Sequence, residues 1–299
     1  MRNLIYADQL SREDLERLCT LADEIRANPK DYARVLDGKI VATIFYEPST
    51  RTRLSFESAI LRLGARVIST ENASENSSGR KGETVEDTIR TVESYADAIV
   101  MRHSDEESSQ NAARVASVPI INAGAGKSEH PTQALLDIYT LRNYLGKIDG
   151  ISVVMLGDLL YGRTTHSLIR LLSLYKDITI YALSDERLEL PEEYIELMKE
   201  RNMKYVKCNS FDDIPHDINV FYQTRIQKER IPDGGADLKT CDLTTEIMKQ
   251  FSDDSIIMHP LPRNDEISID LDEDKRAVFF EQAKNGLYAR MALLYDILA

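Results

Sequence analysis

Along almost the whole chain, short apolar runs alternate with stretches whose apolar residues recur at helical spacing, and this alternation limits the possible folds more than any other feature. Nine runs of strand length lie at residues 40–45, 66–69, 98–101, 118–122, 151–156, 178–183, 205–206, 218–222 and 255–258. Ile40-Val41-Ala42-Thr43-Ile44-Phe45 is nearly continuously apolar, the pattern of a parallel strand covered on both faces. Between the runs, three stripes mark helices: Leu15, Leu18, Leu21, Ala22 and Ile25 behind the capping residue Ser11; Phe56, Ala59, Ile60 and Leu63 before Gly64; and Ala134, Leu135, Ile138, Leu141 and Leu145 before Gly146. Such alternation predicts an α/β chain with two doubly wound domains, each a central parallel sheet flanked by helices. A chain of 299 residues exceeds what one core usually covers, and Gly146 is a natural break. The expected organisation is two domains, 1–146 and 147–283, joined by crossing helices, with a C-terminal helix over 284–299 packing back on the first.

Composition then removes whole classes of function. A formal net charge of −13 argues against nucleic acid or an anionic membrane as the main partner. No run approaches the roughly 18 apolar residues of a membrane span, and Met1-Arg2-Asn3-Leu4-Ile5 lacks the apolar core of a signal peptide. Cys19, Cys208 and Cys241 are odd in number and far apart, with no CxxC pair or neighbouring His, so they imply a reducing cytoplasm and no metal site. From Glu71 to Gly82 no large apolar residue occurs, which predicts a long mobile loop, of a length that is usually functional or disordered.

The chemistry starts at Phe45-Tyr46-Glu47-Pro48-Ser49-Thr50-Arg51-Thr52-Arg53, where a strand turns into a helix. A helix start offers unpaired N–H groups and a partial positive charge to an anion. Ser49, Thr50 and Thr52 add hydroxyls and Arg51 a forked, permanent cation. Taken alone, Ser-Thr-Arg fits an ordinary N-cap as well. The remaining map favours a site: Arg102, His130, Arg163, Arg225 and Arg263 also fall at or just beyond strand ends, where open α/β sheets bind ligands. Arginines gathered there in an acidic protein imply an anionic ligand.

Two glycine motifs mislead. Gly124-Ala125-Gly126-Lys127-Ser128 ends like a P-loop, but Ile121 stands where its first glycine belongs, and Gly157-Asp158-Leu159-Leu160-Tyr161-Gly162 has Leu159 where a dinucleotide fingerprint needs glycine. Among the histidines, His130 beside Pro131 and Gln133 is placed to donate to a carbonyl or to hold a turn. His103, His166, His216 and His259 read as structural.

With these residues in view, the sequence resembles the aspartate/ornithine carbamoyltransferase family nearly end to end, and within it the catalytic chains specific for aspartate. The resemblance rests on residues 45–53, Lys81-Gly82-Glu83-Thr84, Met101-Arg102-His103, His130-Pro131-Thr132-Gln133, Gly157-Asp158 through Tyr161-Gly162-Arg163-Thr164, Thr224-Arg225-Ile226-Gln227-Lys228-Glu229-Arg230 and His259-Pro260-Leu261-Pro262-Arg263, all in order. It implies carbamoyl transfer from carbamoyl phosphate to L-aspartate in pyrimidine synthesis, without a cofactor. Ser49, Thr50, Arg51 and Thr52 would hold the phosphate. Arg102 would bridge phosphate and carbonyl, His130 would donate to that carbonyl, and Gln133 with the backbone carbonyls of Leu261 and Pro262 would orient the carbamoyl amide. Arg163 would take the α-carboxylate of aspartate, and Arg225, with Glu229 and Gln227, its side-chain carboxylate. Ser77, binding carbamoyl phosphate, and Lys81, catalytic and aspartate-binding, would reach a neighbour's site, which implies a homotrimer with shared sites. Relatives commonly carry a bulky residue in place of Ser78, and Arg80 stands where Lys is frequent, so the loop hydroxyl is assigned to Ser77 with Ser78 as the alternative. The resemblance leaves open a separate zinc-containing regulatory chain. Its rivals are ornithine carbamoyltransferase, which typically has Cys at the places of Thr132 and Pro260, and a non-catalytic relative.

Overall fold

The computed structural model describes residues 2–73, 82–126, 129–231, 235 and 237–299. Among these are nine strands in two sheets, every pair of them parallel. The chain divides into two compact units, Met1–Tyr139 with Lys284–Ala299, and Thr140–Ala283.

In the first unit, β1 (Ile40–Phe45), β2 (Arg66–Glu71), β3 (Ala98–His103) and β4 (Ile120–Ala125) form a sheet in the order β2-β1-β3-β4. The crossovers are α2 (Thr50–Arg62), α3 (Val85–Val92) and α4 (Ser108–Val115), and α1 (Arg12–Ala27) precedes β1. Ser11 caps α1 through a hydrogen bond from Asp14 N, as its position predicts. Ala42, Ile44, Ile99, Met101 and Ile120 share one buried cluster with Ile89 and Ala112 of α3 and α4. Strand β4 runs three residues beyond the predicted 118–122. The extra length is accommodated by a register shift between Met101 and His103 and by Gly124 at φ 122°.

The second unit holds β5 (Ser152–Leu156), β6 (Thr179–Leu183), β7 (Lys204–Cys208), β8 (Val220–Gln223) and β9 (Ile256–Met258) in the order β7-β6-β5-β8-β9. Helices α6 (Arg163–Leu172), α7 (Glu192–Glu200) and the single turn α8 (Thr245–Met248) belong to it. Its core gathers Val154, Leu156, Leu183, Phe221, Ile257 and Phe279. The division between units falls within α5 (Pro131–Leu145) and α9 (Phe279–Leu298). Helix α9 begins before the predicted 284, because Phe279 is fully buried and anchors its first turn in the second core. No helix among the described residues is long and apolar enough to cross a membrane.

Candidate active site

In each sheet the strand order reverses once, between β1 and β3 in the first and between β5 and β8 in the second, and such switch points are where doubly wound sheets bind ligands. Phe45 at the end of β1 is paired with Arg102 on β3, and Tyr46 N donates to Arg102 O at 2.9 Å. The turn that follows leads to Thr50, the first residue of α2, with Ser49 in the cap position. Ser49 makes no side-chain capping bond and the first turn carries no acid, so this helix start keeps the donor character an anion needs. Thr52 is buried, Arg51 exposed, and Arg102 lies 3.5 Å from Glu47. Arg53, two residues beyond Arg51, has a different task. It meets Glu71 at 2.9 Å at the end of β2, beside Glu57, which accepts from both Thr43 and Ser69.

His130 follows β4, the strand next to β3, and its carbonyl accepts from Gln133 N and Ala134 N as α5 begins. Its side chain is buried. Gln133 donates through Nε2 to Asp137 Oδ1 at 2.9 Å. The glycines ahead of it are explained by packing: at Gly126, φ +47°, a side chain would come within 2.9 Å of Ser104 O. Gly124 and Gly126 thus serve the end of β4 and its close turn, while Lys127 and Ser128 of the same motif lie outside the described residues.

At the second switch point a fully buried carboxylate does the organising. Asp158 follows β5 and accepts from Tyr161 N at 2.9 Å through Oδ1 and from Gln227 N at 3.1 Å through Oδ2, so one side chain joins the loops after β5 and β8. Gln227 returns a bond to Tyr161 O at 2.8 Å, and Thr224 Oγ1 accepts from Asp158 N while donating to Leu156 O. Burial raises the Asp158 pKa, opposed by the N–H groups of Tyr161, Gln227 and Leu160. Gly157 and Gly162 make this closeness possible, since a Cβ at Gly157 would meet Thr224 O at 2.2 Å and one at Gly162 would meet Asp158 O at 2.4 Å. The joined loops carry Arg163, first residue of α6, and Arg225. Arg225 binds Glu229 through both terminal nitrogens. That hydrogen-bonded pair raises the Arg225 pKa and lowers that of Glu229, so both stay charged.

After β9, His259 accepts from Leu261 N at 2.7 Å through Nδ1, which puts the ring proton on Nε2, 2.8 Å from Glu266 Oε1. Asn264 N donates to both Glu266 oxygens. Leu261, φ 55°, is thereby held in the left-handed region, and the chain at Leu261 and Pro262 is fixed from both sides. Arg263, grouped with the strand-end cations by its sequence position, is built into the fold: it pairs with Asp272 and lies 4.9 Å over the Phe279 ring.

Thus Ser49, Thr50, Arg51, Thr52, Arg102, His130 and Gln133 stand at the ends of three neighbouring strands of one sheet, and Arg163, Arg225, Gln227, Leu261 and Pro262 at those of the other. Ser77 and Lys81 lie outside the described residues. Sequence reasoning assigned no role to Asp158, Glu266 or Asp137. Asp158 stood in a matched motif, which was the available signal, but its bond to Gln227 spans 69 positions and is invisible in sequence.

Fold and residue placement together define a two-unit α/β protein with arginines at the switch point of each sheet. Residues 2–143 match the carbamoyl-phosphate-binding domain of aspartate/ornithine carbamoyltransferases, and residues 149–297 match their aspartate/ornithine-binding domain. The chain belongs to that family. It is 46% identical to a chloroplastic aspartate carbamoyltransferase of Arabidopsis thaliana, covering 98% of this chain and 77% of the relative. It is 44% identical to the aspartate carbamoyltransferase catalytic subunit of Methanocaldococcus jannaschii, covering 100% and 98%. The solved aspartate transcarbamoylase of Trypanosoma cruzi in complex with carbamoyl phosphate and aspartate matches with a TM-score of 0.94 at 37% identity, covering 100% of this chain and 97% of that one.

Proposed function

We propose that this chain transfers the carbamoyl group of carbamoyl phosphate to the amino group of L-aspartate, giving N-carbamoyl-L-aspartate and phosphate for pyrimidine synthesis. The observation that carries the choice of acceptor is the second switch point, where Arg163 and Arg225 sit on loops tied together through Asp158. Two fixed cations suit an acceptor with two carboxylates. Ornithine would bring an ammonium group towards Arg225, and Thr132 and Pro260 stand where its enzymes typically have Cys.

Ser49, Thr50, Arg51 and Thr52 bind the phosphate, with Ser77 assisting. Arg102 spans phosphate and carbonyl, His130 donates to the carbonyl oxygen, and Gln133 with the backbone carbonyls of Leu261 and Pro262 holds the amide. Arg163 takes the α-carboxylate, and Arg225, Gln227 and Lys81 serve the side-chain carboxylate. The aspartate amine attacks the carbamoyl carbon, negative charge gathers on the former carbonyl oxygen, and the C–O bond to phosphate breaks. Arg51, Thr52, Arg102 and His130 are oriented donors for that charge and for the leaving group. The amine proton passes to departing phosphate, so no protein base is required. Lys81 comes from a neighbouring subunit in a homotrimer. Support for self-assembly comes from the exposed Leu54 and Leu61 on α2 and Ile68 on the edge strand β2. The cytoplasm suits the three free cysteines.

Incubating the purified chain with both substrates should release phosphate and form the ureido product one for one; phosphate release without ureido product contradicts the reading. Mixing an Arg51→Ala chain with a Lys81→Ala chain should restore activity on hybrid formation, and hybrids as inactive as their parents would remove Lys81 from the neighbour's site.

A further inference from the structure

Gln133 is held by a charge that the reaction itself does not use. Its Nε2 donates at 2.9 Å to Oδ1 of Asp137, one turn further along α5, and Asp137 is 0% exposed. An ionised carboxylate only accepts hydrogen bonds, so Gln133 must show it the NH2 side and turn Oε1 away. A neutral, protonated Asp137 would accept either face of the amide. A carboxyl buried this deeply stays ionised only beside a cation. A buried cation within electrostatic reach of Asp137 is Arg290 on α9, 3% exposed, whose charged form Asp137 favours. Arg290 donates from Nη1 to Ser55 Oγ at 3.0 Å and lies 5.1 Å over the Phe56 ring, so α2 fixes it in place. Burial lowers its pKa only to about 10, leaving it charged at neutral pH. Gly286 keeps a space open on α9, since a Cβ there would come within 2.4 Å of Arg290 Nη1.

We infer that Asp137 and Arg290 are positioning residues for substrate choice: together they lock Gln133 with Oε1 as an acceptor, so that the site prefers a carbamoyl phosphate, which carries an NH2 donor, over an acetyl phosphate, which carries a methyl group there. This rests on the role proposed above for Gln133. Phosphate affinity is set elsewhere, by the start of α2, and is independent of the lock.

The test compares Asp137→Asn, Gln133→Ala and the parent enzyme for kcat/KM with carbamoyl phosphate and with acetyl phosphate, and for inhibition by inorganic phosphate. Asp137→Asn should narrow the carbamoyl-to-acetyl preference about tenfold or more, the scale of one misdirected hydrogen bond, while the phosphate inhibition constant stays within about twofold. Should that variant fail to fold, Asp137→Asn with Arg290→Met leaves no lone buried ion and replaces it in the same comparison. An unchanged preference, or phosphate inhibition weakening in parallel, overturns the inference. If Gln133→Ala itself leaves the preference unchanged, the role of Gln133 is wrong; if it narrows the preference and Asp137→Asn does not, only the Asp137–Arg290 lock is wrong.

Discussion

The two switch points assemble their arginines and hydroxyls in opposite ways. At the first, donors come from a local stretch: one strand end, one helix start and hydroxyls within four residues, with Arg102 arriving across the β1–β3 register. At the second, the cations are dispersed in sequence, and the buried carboxylate of Asp158 holds their loops together from within. The first arrangement suits one compact, multiply charged oxyanion. The second sets a spacing between two guanidinium groups, and spacing is what distinguishes one acceptor from another. A local anion site can thus be shared across a family, while acceptor choice depends on long-range structure.

Substitutions can break this contrast. Arg51→Ala should have the largest effect, lowering kcat by about 10²–10³, or ~3–4 kcal/mol, the usual loss for one transition-state donor, with the aspartate KM nearly unchanged. Unchanged turnover in steady-state assays would place the phosphate site elsewhere. Asp158→Ala removes the acceptor for the N–H groups of Tyr161, Gln227 and Leu160, costing ~1.5–3 kcal/mol, and should raise the aspartate KM while sparing that for carbamoyl phosphate. Equal rises in both would mean that Asp158 does not act on acceptor binding selectively. Glu266→Gln acts on stability. Burial would raise the Glu266 pKa, but hydrogen bonds from His259 and the backbone outweigh it and hold the acid below its usual 4.5. Such a group stabilises the fold above about pH 4.5 and loses this contribution as the pH falls through its lower folded value. Melting curves should show the variant weaker by ~1–2 kcal/mol at pH 7 and closer to the parent at pH 3. A gap that stays constant over that range would contradict the assignment. Glu229→Gln should have the smallest effect: a partly exposed pair contributes ~0.5–1 kcal/mol, so the aspartate KM should rise only a few-fold.

The strands and most helices were legible because their apolar spacing is local, and the phosphate stretch because its donors are contiguous. What could not be read depends on distant partners. Arg51 and Arg53 look alike in sequence, but the pairing of β1 with β2 brings Glu71 to Arg53 and gives it a structural role. Arg263 resembles the other strand-end arginines until Asp272 is seen against it. Arg290 lies in a stretch that reads as an ordinary helical stripe, and nothing local shows that a charged residue there is almost wholly buried. Asp158 shares this difficulty, because its function lies in two loops far apart in the chain.

The most direct measurement is carbamoyl transfer by the parent chain to aspartate and to ornithine, assayed side by side at equal concentrations. Arg163 and Arg225, on loops joined through Asp158, predict transfer to aspartate with ornithine at background. Transfer to ornithine alone, or to both at similar rates, would contradict the claim that the second switch point selects a dicarboxylate acceptor.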